Sequence, residues 1–277
     1  MPSATPSIRA CSAGPDHHLR LRSVHAGHGH NTPRNVECSG ADEFVRALRG
    51  QLAQGVDQIK LMYTGGLEGA YEGTMDIQMT EAEVRACIEV AHNNSKRIAA
   101  HLSNDKAIAQ AVRLGLDSVE HAYTLSDETC RMMAEKGTFL TPPWWSPTAT
   151  TTSKSTAPPS GTCASRPPPL RSSTSAAGRQ VGVTICTGTD LLPSDPIDGT
   201  TPTIRETELL VEDVGMTPLQ AIRCATRNGA ELCGVLAETG TLEPGKLGDF
   251  LTSWRAAPTR TSGTCGTCGS SPRAAGW

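Results

Sequence analysis

From residue 41 the chain settles into an alternation of apolar and polar positions that its first 40 residues lack. ADEFVRALRGQLAQG sets Phe44, Val45, Leu48 and Leu52 on one helical face and stops at Gly55, which predicts an amphipathic helix. The apolar run DQIKLMYTGG predicts a strand ended by Gly65 and Gly66. Thr80 and Glu83 have the spacing of a capping box, opening a helix whose Val84, Cys87, Ile88 and Ala91 recur at helical period. RIAAHLS, LDSVEHAY and TFLTPPWW predict three more strands, separated by helices over NDKAIAQAVRLG and SDETCRMMAEKG. Short apolar strands alternating with helices are the pattern of parallel βαβ units, with helices outside a buried sheet.

The rhythm fails over 146–180, where Leu170 is the only Leu, Ile, Val or Phe and no acidic residue occurs. It resumes with VGVTICTGTD, a predicted strand ending at Asp190, followed by a helix around RETELLVEDVG. Thr217, Pro218 and Gln220 then open a last helix, TPLQAIRCATRNGAELCGV. Residues 252–277 contain no Leu, Ile, Val or Phe at all. The expected organisation is an irregular segment over 1–40, an α/β unit over 41–251 interrupted by low-complexity 146–180, and a disordered tail over 252–277.

Composition narrows the function classes. A net charge of −3 argues against a nucleic-acid-binding surface. No apolar run approaches the length of a membrane span, and the N-terminus has no apolar secretory core, so a cytoplasmic protein is expected. Cys87, Cys130, Cys186, Cys224 and Cys233 fall inside apolar patterns, as reduced, buried thiols do. Cys265 and Cys268 form a lone Cys-x-x-Cys in the tail, a pair without the second pair that a zinc site needs.

Four side chains stand out by position. His101 ends RIAAH, His121 ends SVEH, Asp190 ends VTICTGTD, and Lys60 lies within QIKLMY. Each alone has a plain structural reading: a hydrogen-bonded core histidine, a turn-capping aspartate, a snorkelling lysine. In parallel α/β architectures, however, the carboxyl ends of strands gather on one face, where sites are built. Two imidazoles and a carboxylate converging there make a candidate cluster for zinc or a related divalent ion. Strand alternation from His121 sends Glu120 toward the helices, which gives it no catalytic role.

The segments IKLMYTGG, AAHLSNDKAIAQAVRLGLDSVEHAY, TGTD and MTPLQAIRCATRNGAELCGVLAETGTLEPGKLGDF together resemble the amidohydrolase superfamily, in the branch of imidazolonepropionase-like and Xaa-Pro dipeptidase-like enzymes. The resemblance implies a (β/α)8 TIM barrel with a divalent metal centre, commonly of two zinc ions. It implies that Lys60 is the carboxylated lysine bridging the metals, and that His101 and His121 are ligands of one of them. Asp190 would bind the other, take a proton from the attacking water and pass it to the leaving group. The implied activity is hydrolysis of amide-type C–N bonds in a small cyclic amide or dipeptide.

The chain departs from that pattern in three places. The family's first strand carries a His-x-His pair, and the literal candidate here, His28-Gly29-His30, follows no apolar strand and lies too close to Lys60 for three βα units between them. The barrel is therefore expected to be partial, without its first strands. Segments 146–180 and 252–277 replace a long helix and a strand of the pattern; both read like family text translated in another frame, which translating the coding DNA in its other frames tests. An alternative reading follows: an impaired or inactive fragment serving as a structural chain, whose open sheet edges leave a homo-oligomer open.

Overall fold

A computed structural model describes residues 23–26, 35–66, 72–142, 177–190 and 202–249. Six parallel strands form one sheet: β1 (Val24–Ala26), β2 (Val36–Cys38), β3 (Gln58–Met62), β4 (Arg97–Leu102), β5 (Ser118–His121) and β6 (Phe139–Thr141). Their order is β2-β1-β3-β4-β5-β6. Helices α1 (Ala41–Leu52), α2 (Glu81–Asn93), α3 (Asp105–Leu114) and α4 (Asp127–Lys136) connect the strands from β2 onward. Among the described residues the sheet stays open, so the architecture is a partial α/β barrel.

The helices start and stop where side chains satisfy their free backbone groups. Thr80 and Glu83 close the expected capping box on α2, with the Thr80 N–H donating to Glu83 Oε2 at 2.7 Å. The other oxygen of Glu83 accepts from the Gly40 N–H at 2.8 Å, so one carboxylate fastens the start of α2 to the start of α1. Asn104 and Ser126 cap α3 and α4, and Gly115 and Gly137 end them in the left-handed conformation that glycine adopts without a steric penalty.

One face of the sheet packs on these helices. Ile59 and Leu61 of β3, Ile98, Ala100 and Leu102 of β4, and Val119 of β5 join Phe44, Leu48, Val84, Ile88, Ile108 and Met133 in a continuous core. Residues between them in sequence project to the other face, as the two-residue period of a strand requires. Cys38, Cys87, Cys130, Cys186 and Cys224 are buried free thiols, whereas Cys233 is exposed, contrary to its apolar sequence setting. It lies just past the end of its helix, where the apolar period no longer reports a buried face.

After β6 the pattern changes. The predicted strand VGVTICTGTD makes a single parallel bridge, Ile185 to Leu140. Helix α5 (Pro202–Glu212) follows, then α6 (Pro218–Arg223), a π-helical turn (Cys224–Asn228) and α7 (Gly229–Leu232). The last three divide what the sequence predicts as one helix. Conversely, β1 and β2 lie in a region with no strand period, because three residues are too few to display one. His28, His30, Cys265, Cys268 and the stretch 143–176 fall outside the described residues. No helix among the described residues is long and apolar enough to cross a membrane.

Candidate active site

Register places the polar side chains of the open face in rows. His25, Met62, His101, Glu120 and Thr141 are successive partners across β1, β3, β4, β5 and β6. Lys60, Ala99, Ser118 and Phe139 form the adjacent row. Partners in a parallel ladder point to the same side, so Lys60, His101 and Glu120 share the face opposite the helix-packed core.

His101 is 5 % exposed, and its Nε2 lies 3.1 Å from the Gly65 carbonyl oxygen, so that nitrogen can donate to it. Its ring centroid is 4.2 Å from that of His121 on the neighbouring strand, with the rings inclined at 60°. The register opposite His121 is Leu102, a core residue, so regular alternation would turn His121 toward the helices. The backbone prevents this: His121 has φ 75° and Ala122 φ 51°, two consecutive left-handed residues without a glycine. That twist brings the His121 ring against His101 at the strand ends.

The same twist corrects the sequence-based placement of Glu120. It does not face the helices; it lies in register with His101 on the open side. Ser118 Oγ donates to Glu120 Oε1 at 2.6 Å. Burial pushes the Glu120 carboxyl above its ordinary value; Lys60 and the Ser118 and Thr141 hydroxyls pull the other way, and Asp190 pushes it up again. The net direction is upward. Lys60, half-buried on β3, is thus electrostatically coupled to Glu120, and Glu120 to Asp190.

Asp190 is exposed, with φ 51°. Among the described residues no three His, Cys, Asp or Glu side chains are gathered closely enough to hold a metal ion. The structure brings His101 and His121 together, sets Lys60 and Glu120 on the same face, and leaves Asp190 outside a three-ligand set. Two adjacent imidazoles fit part of a zinc coordination shell, which they share with carboxylate ligands in such sites.

Sequence reasoning passed over two residues of this region. His25, 1 % exposed on β1, sits in the same row as His101; a three-residue strand gave no signal of its place. Glu206, 0 % exposed on α5, did leave a trace, since it shares helical spacing with the buried Leu209 and Leu210. An acid on an apolar stripe is a departure from the pattern.

The amidohydrolase family model matches residues 7–256, and the chain belongs to that family. It is 29% identical over 216 residues to ochratoxinase of Aspergillus niger, covering 76% of this chain and 44% of the relative. It is 30% identical over 176 residues to imidazolonepropionase of Symbiobacterium thermophilum, covering 61% of this chain and 36% of the relative. The chain therefore spans less than half the length of either curated relative. An amidohydrolase crystal structure superposes with TM-score 0.73 at 25% identity, covering 88% of this chain and 63% of that one. A Xaa-Pro dipeptidase with methionine bound in its active site gives TM-score 0.66 at 24% identity, over 82% and 57% of the two chains.

Proposed function

We propose that this chain carries the metal-dependent hydrolytic site of an amidohydrolase acting on amide-type C–N bonds of small molecules or dipeptides. The observation that carries the reading is the pair of imidazoles, His101 and His121, 4.2 Å apart at the ends of adjacent strands, with Lys60 on the same face. His101 and His121 would hold one divalent ion of the zinc type, with Lys60, carboxylated on Nζ, as a further ligand. A bound ion of that kind supplies a Lewis acid for the scissile carbonyl and lowers the pKa of water at the site. Asp190 accepts the proton of the attacking water on a carboxylate oxygen. It returns that proton to the leaving nitrogen as the C–N bond breaks, so water is consumed and an acid and an amine are released. The names of the relatives, an ochratoxinase and a Xaa-Pro dipeptidase, support amides and dipeptides as the first substrates to try.

Elemental analysis of dialysed protein tests the reading. One or two divalent ions per chain, lost in His101→Ala, are expected; a metal-free wild type, or unchanged metal in the variant, refutes it. A second reading, an impaired chain acting structurally, is favoured by the sheet that stays open among the described residues. Under that reading the chain associates on size exclusion and binds no metal.

A further inference from the structure

The segment that carries Asp190 has almost no sheet to hold it. Past the bridge at Ile185 it relies on side chains from the helices that follow. Glu206, fully buried on α5, accepts the Gly188 N–H on Oε1 at 3.1 Å, two residues before Asp190. Asn228, 8 % exposed in the π-helical turn, donates from Nδ2 to the Ile185 carbonyl at 2.9 Å. A π turn shifts the residues after it around the helix axis, and such turns recur at functional sites. On the other side Gly188 lies so close to β6 that a Cβ there would fall 2.2 Å from Thr141 Cγ2. The segment is thus held at three points: Ile185 by Asn228, Gly188 by Glu206, and Gly188 again by the wall of β6.

Burying a carboxylate is costly unless it is paired or hydrogen-bonded. A carboxylate at 0 % exposure on α5 is more than packing requires, since a leucine would fill the helix at that position as Leu209 and Leu210 do. Losing the acceptor would free the backbone immediately before Asp190. Small misplacements of a reacting group cost large factors in rate.

We infer that Glu206, seconded by Asn228, is a positioning residue that fixes the backbone of residues 185–190 and so the reach of Asp190 into the strand-end face. The inference rests on the reading of Asp190 as the proton carrier, but its structural half can be read without catalysis. Amide hydrogen exchange of the full chain, compared with Glu206→Leu, Glu206→Asp and Glu206→Gln, provides that reading. Gly188 exchange is expected to rise at least about tenfold in Glu206→Leu and in Glu206→Asp, which falls one methylene short. Glu206→Gln keeps an acceptor oxygen at the same reach and restores most of the protection. Amides of β3 to β5 should not change in any of the three. If Glu206→Leu fails to fold, the Asp and Gln pair carries the test.

On zinc-loaded protein with methionyl-proline as the probe, kcat is expected to fall about tenfold in Glu206→Asp with KM nearly constant, and to recover in Glu206→Gln. Unchanged Gly188 exchange in Glu206→Leu or Glu206→Asp overturns the inference. So does loosened exchange with an unchanged kcat. If the wild type hydrolyses no dipeptide, the proposed activity fails, and the exchange of Gly188 alone decides whether Glu206 holds the segment.

Discussion

His101 and Asp190 are both expected at the ends of strands, yet the chain secures them by different means. His101 sits on a six-residue strand with neighbours on both sides, in register with Met62 and Glu120, and its backbone carbonyl accepts from both Tyr63 and Thr64 at 3.2 Å. Asp190 sits five residues beyond a single bridge, on a segment tied by Glu206 and Asn228. In the first region a ladder of backbone bonds fixes the site, and side chains are free to do chemistry. In the second, buried polar side chains do the fixing. A site assembled from both inherits two failure modes: one tied to global unfolding, the other to local loosening.

The largest effect should come from cutting the core behind the first region. Phe44→Ala opens a cavity under α1 at a residue with no exposed surface, and should cost about 3–5 kcal/mol. Denaturant titration should show His101 and the sheet lost together; a variant with an undisturbed midpoint would break the comparison. Next, His101→Ala should lower zinc affinity more than about 100-fold, above the range seen for groups that merely support a ligand. Equilibrium dialysis against zinc measures it.

Gly188→Ala sharpens the other half. The added methyl meets Thr141, so the segment must shift at a cost of about 1–3 kcal/mol. Hydrogen exchange should rise around 185–190 while β3 to β5 keep their protection. A uniform rise across the sheet would show the two regions to be one cooperative unit.

The smallest effect concerns pH. Glu120 has its carboxyl raised by burial, so the native chain holds that proton where the unfolded chain releases it. Its contribution to stability is complete below the unfolded value and is lost as pH rises through the native one. In metal-free protein, Glu120→Gln should therefore melt above the wild type at neutral pH, by roughly 2–4 °C for each kcal/mol gained. The gap should close as the solution is acidified toward the ordinary glutamate range. A Glu120→Gln chain that melts below the wild type at neutral pH, with the deficit closing in acid, would reverse the sign and place Glu120 in a stabilising ion pair instead.

Much of the first region was legible because its signals are local. Thr80 with Glu83, Ser126, and the glycines at 115 and 137 mark helix ends by their own chemistry, and the apolar periods of α1 to α4 locate the core face. The site was harder to read. The position of its strand end puts His121 on the open face, and the same alternation turns Glu120 away; both assignments assume a regular backbone. The two left-handed residues that reconcile His121 with Glu120 carry no glycine or asparagine to announce them. The π-helical turn was equally hidden, since its five residues continue an ordinary helical sequence. The strand expected to end at Asp190 is reduced to a bridge at Ile185, because pairing there depends on what Leu140 offers across the gap.

The buried thiols have a practical consequence. Thiolates, not thiols, react with disulfide reagents and alkylating agents. Burial pushes Cys38, Cys130 and Cys224 up to about 11, and Cys87 and Cys186 higher still. Cys38 and Cys87 lie on the sheet-and-helix side, Cys186 and Cys224 beside the Asp190 segment. Pulsed alkylation followed by peptide mapping would time the opening of each half separately, with the exposed Cys233 as the internal clock.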